Sequence, residues 1–117
     1  MELKSLSQLG CIEKEKEILK GLKLKLRTLS SSEQQEIQEL LPITNIEQAV
    51  SPSLITKLQI HTLAKATVAV NEMAPTNKEE LLKIYAELQT PVLNEAYKFY
   101  LELLGEQDKL VEELKKK

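Results

Sequence analysis

The chain has 117 residues, of which 42% are hydrophobic and 29% charged, which is typical of one globular domain and not of a disordered chain. Its net charge of −2 argues against a nucleic-acid-binding protein, which needs an excess of lysine and arginine on one face. No segment approaches the roughly 18 apolar residues of a membrane span. A single cysteine, Cys11, excludes an internal disulfide and fits a reducing compartment.

Residues 1–10 are predicted to form an N-terminal arm that ends at Gly10. The arm has neither the positive start nor the apolar run of a signal peptide, so we expect a protein that is used inside the cell. No repeat or low-complexity linker divides the rest of the sequence. We therefore predict a single domain over residues 1–117.

A short β-hairpin is predicted over about residues 12–28. Leucines alternate with basic residues in its second half, which is the period of a half-buried strand: Leu22, Lys23, Leu24, Lys25, Leu26 and Arg27. The Lys20-Gly21 pair can supply the turn, because glycine adopts positive φ angles. The alternative is one helix from Glu13 to Leu29, since leucine, lysine and glutamate are strong helix formers, although Gly21 would cost it about 1 kcal/mol.

Helix signals follow the hairpin. Ser30 and Glu33 form a predicted capping box for a helix that reaches about Leu41. Pro52 suits the first turn of a second helix, which is predicted over about residues 52–73. This second helix is apolar on most sides, so we expect it at the centre of the fold.

Two or three further helices are predicted after it. Thr76 and Glu79 form a second capping box, and Pro91 either kinks the third helix or begins a fourth. Gly105 is expected to end the fourth helix, and residues 112–117 are expected to form a frayed basic tail. The predicted fold class is therefore mainly α, with four to five helices around the apolar helix and a short N-terminal β-hairpin.

The sequence offers little that resembles an active site. His61 is the only histidine and lacks neighbouring metal ligands, while Cys11 lacks the base and the oxyanion-hole signature of a nucleophile. Carboxylates share one side of the first helix, where a solvated face is more common than an acid–base pair: Glu33, Glu36 and Glu39. We predict a protein that is not an enzyme, with no catalytic residue, no cofactor and no metal ion.

Most of the aromatic residues lie in one turn of the predicted fourth helix: Tyr97, Phe99 and Tyr100. Helical spacing places Tyr97 and Phe99 on different faces, so they cannot both lie in one core. Because tyrosine is enriched at protein interfaces, Tyr97 is predicted as a partner-binding residue. Phe99 or Tyr100 is predicted in the core.

Three segments carry a resemblance to a known family: the strand-to-helix segment 22–30, the acidic helix 33–41 and the run 58–66. In this pattern the chain resembles the tail assembly chaperones and related small tail-morphogenesis proteins of bacteriophages. The similarity runs from Gly21 to about Ala74, and more weakly to Leu104, without a diagnostic motif. It implies a non-enzymatic viral protein that holds tape-measure or other tail proteins during assembly in the host cytoplasm.

In such a role the predicted docking site is the hairpin strand with Leu22, Leu24 and Leu26, because an unpaired strand edge binds another chain through main-chain hydrogen bonds. Replacing Leu24 with lysine is then expected to abolish binding and to leave the helices intact. Two alternatives stay open. One is a permanent structural subunit of a phage or other large assembly, found in the virion; the other is a helical adaptor or inhibitor that regulates a host enzyme.

Overall fold

The computed structural model describes residues 8–40 and 51–115, which form four helices and a three-stranded antiparallel sheet. The strands are β1 (Glu13–Leu19), β2 (Leu22–Arg27) and β3 (Thr67–Val70). The helices are α1 (Ser31–Leu40), α2 (Pro52–Ala66), α3 (Lys78–Glu87) and α4 (Thr90–Lys115). The predicted class, mainly α with an N-terminal hairpin, is confirmed.

The hairpin of β1 and β2 is confirmed, and the alternative of one helix through this segment is wrong. Gly21 occupies the turn with a φ of 90°, a backbone conformation that side chains disfavour. The register sets each glutamate of the outer face opposite a basic residue: Glu13 with Arg27, Glu15 with Lys25, and Glu17 with Lys23. Glutamate and lysine have low strand propensity, and this arrangement places opposite charges, not like charges, directly across the hairpin.

The predicted helix over 52–73 ends at Ala66, and the chain passes directly into β3, which the sequence analysis does not predict. Thr67 is extended, with φ −74° and ψ 123°. The run from Thr67 to Val70 is rich in β-branched residues, which favour extended backbone. Asn71 then takes a φ of 50° and binds both main-chain groups of Lys23, at 2.7 Å through its own N–H and 2.8 Å through its side-chain oxygen.

The core lies between the inner face of the sheet and the helices. Each element around it contributes buried side chains: Leu24 and Leu26 from the sheet, Leu63 and Ala66 from α2, Leu81 and Tyr85 from α3, and Leu93, Ala96, Phe99, Tyr100 and Leu103 from α4. α2 contacts the other described helices and β2. Near its N-terminus, however, Ile55 and Leu58 are 44% and 39% exposed, so this apolar helix is not buried on every side.

The helix caps agree with the sequence at α1 and differ at α3. The capping box of α1 is confirmed, because Ser30 Oγ accepts from the N–H of Glu33 at 3.3 Å and the Glu33 carboxylate accepts from the N–H of Ser30 at 3.0 Å. At α3 the predicted box of Thr76 and Glu79 is wrong by one residue. Asn77 caps the helix instead by accepting from the N–H of Glu80 at 2.8 Å, because asparagine is a stronger N-cap residue than threonine.

The fourth helix begins afresh at Thr90-Pro91 and continues through Gly105 to Lys115. The predicted end at Gly105 is wrong, because one glycine costs a helix only about 1 kcal/mol and apolar residues continue beyond it at helical spacing. Residues 112–115, predicted to fray, are helical. Most of the predicted arm (1–7), the connection over 41–50 and residues 116–117 lie outside the described part of the chain.

Candidate functional site

The predicted docking strand, β2, is the middle strand of the sheet and has no unpaired edge, so that part of the docking hypothesis is wrong. β1 pairs with one side of β2 and β3 with the other. Leu24 and Leu26 are 1% and 0% exposed, and Leu22 packs against the core. Leu24 and Leu26 therefore hold the sheet on the helices and are not available to a partner in the folded protein, whereas Leu22 is only partly buried.

The outer edge of β1 pairs with no strand of the described chain. The N–H of Thr28 donates to the carbonyl of Ile12 at 2.9 Å, so Ile12 directs its main-chain groups toward β2. Because these groups alternate along an antiparallel strand, those of Lys14 and Lys16 also point to β2. The N–H and C=O groups at three positions consequently point outward: Glu13, Glu15 and Glu17.

The third strand presents a less accessible edge. The N–H of Val70 donates to the carbonyl of Met73, and the N–H of Met73 donates to the carbonyl of Val70, both at 3.0 Å. The tight turn at Asn71 and Glu72 thus occupies the outward groups at the end of β3. Within residues 8–40 and 51–115, β1 offers the longest row of main-chain groups for another chain.

The inner face of β1 is charged and is attached to α4. Lys14 forms an ion pair with Glu106, and Lys16 Nζ lies 3.2 Å from a carboxylate oxygen of Glu102. Lys16 Nζ also lies 5.7 Å from the centre of the Phe99 ring, a distance that suits a cation–π contact. These contacts fix β1 against α4, and the lysines discourage indiscriminate pairing of an apolar strand with this edge.

Tyr97, the other predicted partner-binding residue, is half-buried beside the core. Its ring centre lies 6.0 Å from that of Tyr100, with the two planes inclined at 35°. Phe99 and Tyr100 are buried, as the sequence predicts for at least one of them. The described side-chain contacts of α4 with β1 come from Phe99, Glu102 and Glu106, and no described hydrogen bond or ion pair joins Tyr97 to β1.

A second feature is a cleft of about 630 Å³ between the turn at Gln8–Cys11, the end of β2 and Gln107 of α4. An ion pair of Arg27 and Glu33 lies in its wall, with N–O distances of 2.9 and 2.6 Å. The Arg27 guanidinium holds the pKa of Glu33 at about 2, below its ordinary value of 4.5, against an opposing effect of burial. Both charged groups are thus paired with each other, and they are the only charged side chains in the described lining of the cleft.

Glu33 is expected to make the protein less stable in acid. Because its pKa is lower in the folded chain than in the unfolded chain, its contribution is complete above about pH 5 and is lost as the pH falls toward 2. We predict that Glu33→Gln costs about 2 kcal/mol of unfolding free energy at pH 7 and almost nothing at pH 2. Urea unfolding of both proteins at pH 7, 4.5 and 3 measures the difference; a constant difference across this range would contradict the assignment.

Other candidate groups in the sequence do not converge. Cys11 is half-buried in the wall of the cleft, and His61 is half-buried in α2. Glu36 pairs with Lys65 instead of acting together with Glu33. Across the described ranges, no cluster of three or more histidine, cysteine, aspartate or glutamate side chains could hold a metal ion.

The described chain is thus a mainly α domain with a small antiparallel sheet, and its most distinctive surface feature is the charged outer edge of β1. None of its described helices is long and apolar enough to cross a membrane. Comparisons of the chain with protein-family models, with curated proteins and with solved structures found no match.

Proposed function

We propose that the protein is a non-enzymatic protein–protein interaction factor that holds another chain at the outer edge of β1. The row of outward main-chain groups at Glu13, Glu15 and Glu17 carries this proposal. An extended segment of a partner can add to such an edge through main-chain hydrogen bonds. The pairing of β1 with β2 supports the proposal, because a strand already held in a sheet is ordered before the partner binds.

The particular role we propose is assembly of a bacteriophage tail, as a chaperone or related tail-morphogenesis protein. The resemblance over the strand-to-helix segment 22–30 supports this role, and the proposed partners are tape-measure or other tail proteins. A chain of this kind protects an extended segment of its partner until assembly, and an edge strand on a compact helical domain suits that task. The docking edge belongs to β1 in this proposal and no longer to the leucine strand β2.

Glu15→Pro is expected to abolish partner binding without unfolding the protein. The N–H of Glu15 points away from β2, so proline at this position removes a donor for the partner and no hydrogen bond of the hairpin, as tolerated in edge strands. Glu15→Ala removes the same side chain but keeps the N–H, and it is the matched control. The measurement is co-purification of a co-expressed tape-measure or other tail protein, together with the soluble yield of that protein.

Two outcomes would contradict different parts of this proposal. Equal co-purification with wild type and Glu15→Pro would exclude β1 as the docking edge. Failure of the wild-type chain to bind tail proteins or to raise their soluble yield would exclude the tail-assembly role. Circular dichroism of each variant checks that the helices persist.

A further inference from the structure

We infer that the outer edge of β1 selects a partner strand with lysine or arginine at alternate positions. This inference rests on the proposed function, because it specifies the chemistry of the strand that binds there. Two observations lead to this inference. The first is the charge on each face of β1, and the second is the set of β1 residues whose main-chain groups point outward.

The outward positions of β1 are all acidic on the solvent-facing side of the sheet. In antiparallel pairing, directly opposite residues place their side chains on the same face, and outward positions of one strand meet outward positions of the other. The partner residues that hydrogen-bond to Glu13, Glu15 and Glu17 therefore share the outer face with three carboxylates. Basic side chains there gain from opposite-charge pairing, and acidic ones are repelled.

On its other side, β1 already has basic residues beside these glutamates, although Arg27 and Lys23 make their ion pairs with Glu33 and Glu72. β2 places a basic residue opposite each of these glutamates, as the register gives them: Arg27, Lys25 and Lys23. Lys25 Nζ lies 3.6 Å from a carboxylate oxygen of Glu13. Glu15, at the middle of β1, makes no ion pair with any described residue, so its carboxylate is available to a cation on the incoming strand.

The lysines of β1 contribute less to the selection. Lys14 and Lys16 lie on the inner face, where Glu106 and Glu102 already neutralise them. A partner side chain opposite either lysine therefore meets an ion pair and not a free charge. Glu13 is likewise paired, with Lys25, so the position opposite Glu15 contributes most to the choice of strand.

A second copy of this chain is a poor occupant of the edge. In an antiparallel two-fold pair centred on Glu15, Glu13 faces Glu17 of the second copy and Glu15 faces its own counterpart. Lys14 then faces Lys16 of the second copy. Shifting the register by two residues again places glutamate opposite glutamate and lysine opposite lysine. Like charges that lie directly opposite each other destabilise a sheet.

The test uses three seven-residue peptides as probes, followed by the backbone amide signals of the labelled full chain in NMR titrations. The alternating basic peptide has threonine and lysine at alternate positions, and the acidic peptide has threonine and glutamate at alternate positions. The block peptide has the same composition as the alternating basic peptide, but its lysines are consecutive. We expect the alternating basic peptide to shift the β1 signals and to bind about fivefold more tightly than the block peptide. The acidic peptide is expected to leave the signals unchanged.

A charge exchange at Glu15 tests the pairing itself. Glu15→Lys is expected to weaken binding of the alternating basic peptide about fivefold, and replacing the central lysine of that peptide with glutamate is expected to restore the loss. Equal affinities for the alternating and block peptides, or an unchanged affinity in Glu15→Lys, would overturn the charge selection. Glu15→Pro separates the docking edge from its charge selectivity. If Glu15→Pro loses binding but Glu15→Lys does not, β1 is still the docking edge and the charge selection is rejected.

Two further results in the same titrations would count against the inference. Concentration-dependent shifts of the β1 signals without peptide would show that a second copy occupies the edge, and would overturn it. Absence of β1 shifts with every peptide would reject the selectivity, whereas the co-purification experiment with tail proteins tests the docking edge separately.

Discussion

Replacing Leu24 with alanine is expected to lower the free energy of unfolding by about 2–5 kcal/mol, because the side chain is fully buried and its removal leaves a cavity in the core. Leu24→Lys is expected to unfold the domain, because it would place a charge in that cavity and small domains have only about 5–15 kcal/mol of stability. Urea denaturation followed by circular dichroism measures both effects. The helices would therefore be lost together with any binding, contrary to the expectation from the sequence.

Lys25→Ala is the matched control for Leu24. The Lys25 side chain is on the opposite face of the same strand and is 40% exposed, so its truncation is expected to change the unfolding free energy by less than about 0.5 kcal/mol. A urea midpoint of Leu24→Ala equal to that of Lys25→Ala would contradict the position of β2 at the centre of the sheet.

Thr67→Val is expected to cost about 1–3 kcal/mol, because it leaves the buried hydroxyl of Tyr85 without an acceptor. Thr67 Oγ1 donates to the carbonyl of Leu63 at 2.6 Å, and its oxygen lies 2.6 Å from the Tyr85 hydroxyl. Since Thr67 has one hydroxyl proton, Tyr85 is the donor in the second bond. A loss of this size lowers Tm by about 5–10 °C in a domain of this length, which a thermal melt detects.

Tyr85→Phe is the companion variant and is expected to cost about 1 kcal/mol or less, because Thr67 keeps its bond to Leu63. The double variant removes both partners and is expected to cost less than the sum of the single changes. Additive effects would show that the two hydroxyls do not interact. The comparison thus tests the hydrogen bond that joins α3 to the junction of α2 and β3.

The parts of the fold that depend on neighbouring residues were predictable from the sequence. The capping box at Ser30 and Glu33 is a contact over three positions, and the hairpin is closed by Gly21 between two adjacent strands. Pro91 was compatible with a kink or with a new helix, and the structure has the new helix, whose first turn suits the proline ring. In each case the interaction partners are close in the chain, so the pattern of residue types contains most of the information.

The third strand is the element that the residue pattern does not predict. Its residues continue the apolar pattern of α2, and alanine beside β-branched residues is compatible with either structure. These residues become a strand because they pair with the edge of β2. The hydrogen bond between Lys23 of β2 and Asn71, which follows β3, spans 48 positions of sequence. A strand of four residues has little stability of its own, and tertiary pairing overrides its local propensity.

The candidate docking edge lies on β1 and not on β2 because the strand order also depends on pairing between distant segments. The alternation of leucine and lysine over 22–27 determines that one face of β2 is buried, but it does not reveal how many strands flank β2. The alternation of glutamate and lysine in β1 was legible in the sequence as a run of mixed charge. That this run lies at an edge of the sheet follows only from the strand order, in which β2 separates β1 from β3.

The sequence by itself determined a mainly α class and the cap of α1 and favoured the hairpin over one helix, because these follow from contacts between residues near one another in the chain. The tertiary structure decided that the helix after Pro52 ends at Ala66 and that the next residues form β3. That strand covers one side of β2, so β2 is the middle strand and, within the described residues, β1 offers the longer row of outward main-chain groups. Such a choice depends on hydrogen bonds between distant segments, whose formation depends on packing of the whole core and not on the residue pattern of either segment alone.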